Sequence, residues 1–226
     1  MGFSLRALVP QTLKEGIKKT VAGWMNVHVP SERPDVLILS SPRSGSTWLM
    51  EMLYTEPGMK YVDEPLAKGL LDFNDLLPLQ TRWKYLTLSD REAQILEEYF
   101  SEDGDISIFG PLGVLDEEYE FISDRRVFKV IRGGALIEWF AETLDVQIVY
   151  LIRHPIPQSL SCISRDHDDH LDEYLANDQF LQRNLTDEQV RAVSEIERGT
   201  DEFEKFVCQW CLENIVALDV VADLED

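Results

Sequence analysis

The sharpest change of character along the chain falls in residues 36–53, VLILSSPRSGSTWLMEML. Val36-Leu37-Ile38-Leu39 is a continuous apolar run, the pattern of a strand covered on both faces. Turn-forming and hydroxyl residues, Ser40-Ser41-Pro42-Arg43-Ser44-Gly45, break it. From Ser46 onward Trp48, Leu49, Met52 and Leu53 recur at helical spacing. Two more apolar runs predict strands, VFKVI at 127–131 and VQIVYLI at 146–152. The first continues through Arg132-Gly133-Gly134 into a helix over 135–144, and the second ends at Arg153-His154-Pro155 before a helix carrying Ser159, Ser161 and Ser164. Helices are also predicted over 70–77, over 89–100 behind a Ser89…Glu92 capping box, and over 186–197 behind Thr186…Gln189, ending at Arg198-Gly199. A last amphipathic helix over 201–218 sets Phe203, Phe206, Trp210 and Ile215 on its apolar side. Strands alternating with helices predict an α/β domain with a central parallel sheet. With no repeats or low-complexity linkers, residues 1–226 read as one domain, a basic leader over 1–33 and an α/β core over 34–226.

Composition narrows the partners. With 44% hydrophobic residues and five tryptophans, the 226 residues suffice for one sizeable core. A net charge of −21 argues against nucleic acid as a partner, because phosphate backbones demand Lys and Arg. The leader differs: Arg6, Lys14, Lys18, Lys19 and Arg33 face only Glu15 and Glu32, so residues 1–33 carry +3 and the remainder −24. Leu13, Ile17, Val21 and Trp24 give that leader an amphipathic stripe. It could lie on an anionic membrane, although packing on the core is the simpler expectation. No apolar run approaches transmembrane length and no signal-peptide core is evident, so a cytoplasmic protein is expected. Three cysteines, Cys162, Cys208 and Cys211, give no disulfide framework; C-x-x-C at 208–211 lies in an aromatic-rich helix and reads as buried structural thiols in a reducing compartment.

Strand, small-residue loop and helix present backbone N–H groups and a helix N-terminus to an anion. Against the Walker pattern G-x-x-x-x-G-K-[ST], Ser40 falls at the first glycine, Gly45 at the second, Ser46 at the lysine and Thr47 at the final hydroxyl. The lysine is absent and Arg43 lies inside the loop instead, which speaks against ordinary ATP chemistry. The loop resembles the 5′-phosphosulfate loop of sulfotransferases that use 3′-phosphoadenosine 5′-phosphosulfate (PAPS). That loop runs P-[KR]-S-G-[ST]-[ST], and Pro42-Arg43-Ser44-Gly45-Ser46-Thr47 matches each position. The family's 3′-phosphate motif runs R-x-P-x-x-x-x-x-S, and Arg153 and Ser161 fall on it. Arginine suits a phosphate because its planar fork donates two bonds at fixed charge. Trp210…Asn214 looks like the family's W-x-x-x-N helix.

The resemblance implies a three-layer fold of the P-loop NTPase-like sulfotransferase type and transfer of a sulfuryl group from PAPS to a small-molecule or carbohydrate hydroxyl, or to an amine. It implies cofactor contacts from Arg43, Ser44, Gly45, Ser46, Thr47, Trp48, Arg153 and Ser161, with Arg43 also catalytic and no metal required. The cytosolic phenol and steroid branch places a histidine base in a strand ending K-x-H; the aligned residue here is Ile131. Glu64, in Asp63-Glu64-Pro65, resembles instead the E-P segment of the carbohydrate-type and bacterial branch, where the glutamate is the base; it also fits a surface carboxylate held extended before a turn. Lys129 and Arg132 could face the sulfuryl group or be ordinary strand-end cations. His154 reads as structural. His167 and His170, three apart in an acidic run, fit a solvated charge run or a substrate-side lid better than a metal site. Trp83 and Tyr85 suit core or acceptor pocket alike. Relatives continue past the last helix into a strand and a basic loop, whereas this sequence stops at Asp226, so either it is cut short or the site closes differently. Acceptor specificity is expected in 66–125 and 165–200. The alternatives are a metal-dependent nucleotide kinase and a non-catalytic binding protein.

Overall fold

A computed structural model describes residues 27–29, 31–66, 89–101 and 122–223. In chain order the elements are β1 (Val27–His28), β2 (Asp35–Ser40), α1 (Ser46–Tyr54), β3 (Met59–Asp63), α2 (Asp90–Phe100), β4 (Ile122–Ser123) and β5 (Arg125–Ile131). A single 3-10 turn, Gly134–Leu136, leads into α3 (Ile137–Thr143), followed by β6 (Val146–Leu151), α4 (Pro155–Ile163), α5 (Leu171–Leu175), α6 (Asp178–Asn184), α7 (Asp187–Arg198) and α8 (Glu202–Asp223).

Four strands form a parallel sheet in the order β3-β5-β2-β6, and β1 pairs with β4 in a separate two-stranded ribbon. The apolar run at the head of the sequence becomes the centre of the sheet, with Leu37, Ile38 and Leu39 each 0% exposed. Alternation along β2 divides its side chains between two cores. Leu37 and Leu39 join Phe128, Val130, Phe140, Leu212 and Val216 on the face covered by α3 and α8. Val36 and Ile38 join Met50, Met59 and Val127 on the face covered by α1. Helices on both faces of a parallel sheet make the three-layer α/β arrangement that the sequence predicts. Arg126, only 2% exposed, ties the α2 end to the sheet: its guanidinium pairs with Asp35 at 2.6 Å and donates to the carbonyls of Phe100 and Ser101.

Most predicted strands and helices fall within one or two residues of those observed, but α8 runs five residues past its expected end at 218, and β1, β4, α5 and α6 were not predicted. β3 is a strand that the pattern MKYVD does not announce; it forms by pairing its whole length with β5. The helix expected over 135–144 starts with a 3-10 turn, Gly134–Leu136, packed so closely that a Cβ on Gly134 would meet the Glu213 carbonyl at 3.2 Å and the Tyr150 hydroxyl at 3.3 Å. Glu64, expected extended, has φ 47°. Its N–H still donates to the Lys129 carbonyl (2.8 Å), after which the chain must leave the sheet. The proline that follows disfavours the right-handed helical conformation, and the left-handed one makes the turn. The predicted helix over 70–77, Trp83, Tyr85 and the leader stripe of Leu13, Ile17, Val21 and Trp24 lie outside the described residues. Among the described residues no helix is long and apolar enough to cross a membrane.

Candidate functional site

All four strands point their C-terminal ends to one edge of the sheet, the edge at which open α/β sheets bind ligands. Three non-glycine residues take left-handed backbone there: Arg43 (φ 62°) beyond β2, Glu64 (φ 47°) after β3 and Arg132 (φ 64°) after β5. Each such conformation costs about 1–3 kcal/mol, and their gathering at one edge is typical of a functional site.

The loop from Ser41 to Gly45 reaches α1 through Gly45, whose φ of 102° no side-chain-bearing residue adopts without strain. No side chain caps α1, and its first turn carries no acidic residue. The N–H groups of its first turn and the positive end of its dipole therefore face the loop uncompensated. Ser46 is buried beneath the loop while Thr47 and Trp48 are exposed. Ser44 Oγ is buried without a hydrogen-bond partner among the described residues.

β5 brings a cation to the end of the loop. Lys129, 2% exposed, donates from Nζ to Thr47 Oγ1 (2.9 Å) and lies 2.5 Å from Asp63 Oδ1 and 3.2 Å from Glu64 Oε1. A lysine in the middle of VFKVI was the available signal, since a buried ammonium needs partners; Asp63 as one of those partners was not legible. The ammonium lies directly beside the last hydroxyl of the loop.

Arg43 takes a different direction. Its Nε donates to Ser161 Oγ (3.1 Å), and its carbonyl accepts from Arg153 Nη1 (2.9 Å). The loop and the Arg153/Ser161 segment, over a hundred residues apart in sequence, therefore touch. Register explains it: β6 lies beside β2 with Ser40 opposite Leu151, so Arg153 emerges next to the loop. His154 caps α4, its Nδ1 accepting from the Ile156 N–H (3.3 Å), as its structural reading expects.

Trp210 and Asn214 of α8 hold both motifs in place. Trp210 Nε1 donates to the Arg153 carbonyl (2.9 Å), while Asn214 Nδ2 donates to Ser41 Oγ (3.3 Å) and Asn214 Oδ1 accepts from the Tyr150 hydroxyl (2.7 Å). Asn214 is 0% exposed, so this polar chain is a buried latch between helix, loop and strand.

Beside the loop, α4 and α8 border a small cleft of about 10 Å³, room for about one water, lined by Pro42, Arg132, Gln158, Ser159, His167 and Glu213 among others. Burial raises the Glu213 carboxyl above its ordinary 4.5, against the opposing pull of Arg132, whose Nε lies 3.9 Å away, and of Gln209, which donates to it at 2.8 Å. Burial, with the charges of Arg132 and Arg43, holds the His167 imidazole below its ordinary 6.5. Glu213, Gln158 and Ser159 were not singled out by sequence for this site: on a helix such residues look like solvated positions until packing turns them inward.

Among the cysteines, Cys162 and Cys208 are buried as expected, whereas Cys211, expected buried, is exposed. Burial pushes the Cys208 thiol up to about 11. Among the described residues no three or more His, Cys, Asp or Glu side chains gather as a metal site would require. Compared with family models, curated proteins and solved structures, the chain matches none.

Proposed function

We propose that the chain is a PAPS-dependent sulfotransferase of the P-loop-like fold. One observation carries this: the anion-ready loop at the head of α1 touches a second phosphate-type pair, Arg153 and Ser161, through Arg43. A nucleotide with anionic groups at both its 5′ and 3′ positions uses both sites, and ATP uses one.

The 5′-phosphosulfate would lie on the N–H groups of Ser44, Gly45, Ser46 and Thr47, and the 3′-phosphate on Arg153 and Ser161. Arg43, now on Ser161, would serve the 3′ side or swing over the loop. Trp48, 65% exposed beside the loop, offers a ring face to the nucleotide. Glu64 would take the proton from the acceptor hydroxyl as its oxygen bonds to sulfur. The bond from sulfur to the 5′-phosphate oxygen breaks, and adenosine 3′,5′-bisphosphate leaves. Negative charge grows on that leaving oxygen and on the sulfuryl oxygens, where Lys129 and the helix N-terminus are fixed to receive it. Glu64 Oε1 lies 3.2 Å from Lys129 Nζ, so the proposed base and the proposed charge-stabilising ammonium would act side by side.

The second reading, a metal-dependent kinase, draws on Asp63 and Glu64 beside the Thr47 hydroxyl, a hard-oxygen setting. Lys129 already neutralises both carboxylates, which favours the metal-free reaction. Calorimetric titration with adenosine 3′,5′-bisphosphate, with 5′-AMP and ATP as controls, tests the proposal. Selective bisphosphate binding that Arg153→Ala weakens at least tenfold is expected. Equal binding of 5′-AMP, or Mg²⁺-dependent ATP consumption, overturns it.

A further inference from the structure

Where α4 packs on α8, Cys162, Phe206 and Trp210 line a small cleft, yet Gln158 and Ser159 bring an amide and a hydroxyl to it. These two residues are 3% and 1% exposed, and Gln158 Oε1 and Ser159 Oγ have no hydrogen-bond partner among the described residues. The buried Glu213 of α8 lines the same cleft. An apolar residue would serve packing better at either position on α4. Leaving a buried polar atom unpaired costs more than immobilising one water, so two adjacent cases on one helix call for a partner.

The size of the cleft selects that partner. A buried water needs about 10–15 Å³ of free volume and about two to four polar neighbours. The cleft offers about 10 Å³, with Gln158, Ser159 and Glu213 on its walls. An organic ligand or a hydrated ion is too large for it. Arg132, on the same wall, disfavours a bare cation by like-charge repulsion. A neutral water suits all of these neighbours, because it can donate to one and accept from the next.

We infer that the cleft is a one-water site, in which a resident water bridges Gln158 Oε1 and Ser159 Oγ of α4 to the Glu213 carboxyl of α8. The water donates to Gln158 Oε1, which can only accept, and its second hydrogen and its lone pairs serve Ser159 and Glu213. The consequence is positional. Ser161, two residues beyond Ser159 on α4, accepts from Arg43 Nε (3.1 Å), and Asn214, next to Glu213 on α8, donates to Ser41 Oγ (3.3 Å). The water therefore ties the helix that carries Ser161 to the helix that latches the loop, whatever ligand the loop takes.

Thermal melts of the full chain test it through two substitutions, Ser159→Val and Gln158→Met. Valine fills the cleft and displaces the water, which leaves Gln158 Oε1 buried and unpaired, so Ser159→Val is expected to melt several degrees below wild type. Adding Gln158→Met to that variant removes the orphaned atom and is expected to raise the melting temperature. In the wild-type background the same Gln158→Met strips the water of a partner and is expected to lower it. This change of sign is the signature of a water shared by both side chains. A Gln158→Met shift of the same sign in both backgrounds overturns the inference. A wild-type melting temperature that rises selectively with Na⁺ or K⁺ also overturns it, in favour of a bound cation. A crystal structure of the wild-type chain decides without any variant. Density for one water within hydrogen-bond reach of Gln158 Oε1 and Ser159 Oγ is expected, and a dry cleft overturns the inference.

Discussion

Replacing Lys129 by methionine removes a charge and three donors while leaving a stem of similar length in the same slot. Two consequences can be sized separately. At 3.2 Å the attraction between unit charges is about 5 kcal/mol at an effective dielectric of 20. The Asp63 and Glu64 side chains are 46% and 37% exposed, so both can turn to water once the ammonium is gone. The net stability loss is therefore about 1–2 kcal/mol, a melting-temperature drop of roughly 2–8 °C for a domain of this size. The catalytic loss is larger. Removing one fixed donor from a site of developing negative charge costs about 10²–10³ in kcat. Ground-state binding changes less, because the N–H groups of Ser44 to Thr47 remain, and the bisphosphate Kd is expected to rise no more than about tenfold. Initial rates with PAPS at saturating acceptor, calorimetry and a thermal melt on one preparation separate these terms. A kcat within threefold of wild type alongside the melting shift would refute the reasoning, making Lys129 a structural cation and returning the electrophilic role to Arg43.

Glu64→Gln should bind bisphosphate as wild type does and lose about 10²–10⁴ in kcat, the usual worth of a general base; an unchanged kcat removes Glu64 from the mechanism. Gly45→Ala meets no atom within 4 Å, so its whole cost is the backbone at φ 102°, about 1–2 kcal/mol and roughly 2–8 °C in melting temperature; no shift would mean that the loop relaxes freely. For Glu213 the sign follows from burial. Its folded-state pKa lies above the ordinary 4.5, so as pH rises past that value the unfolded chain releases a proton that the folded protein retains, and stability falls until the folded-state pKa is passed. Glu213→Gln removes this slope, so the melting difference between variant and wild type should grow with pH through that window, and parallel curves would contradict it.

What the sequence alone determined is local. The run VLIL, its hydroxyl-rich interruption and the helical spacing after it specify strand, loop and helix, because each rests on backbone conformation and near-neighbour burial. The capping box at Thr186 and Gln189 forms as read, both of its hydrogen bonds present. The motif residues of the loop, of Arg153 and Ser161, and of Trp210 and Asn214 were legible by type and spacing. Their contact with one another was not, since it depends on β6 lying beside β2 in a particular register. Only the tertiary structure decided that Arg43 reaches Ser161, and that Lys129 stands beside Thr47 with Asp63 and Glu64 as counter-ions. It also turned Gln158, Ser159 and Glu213 inward. Buried polar groups are specified by partners arriving from distant segments, and a one-dimensional pattern records what a residue can do without recording which partners the fold will bring to it.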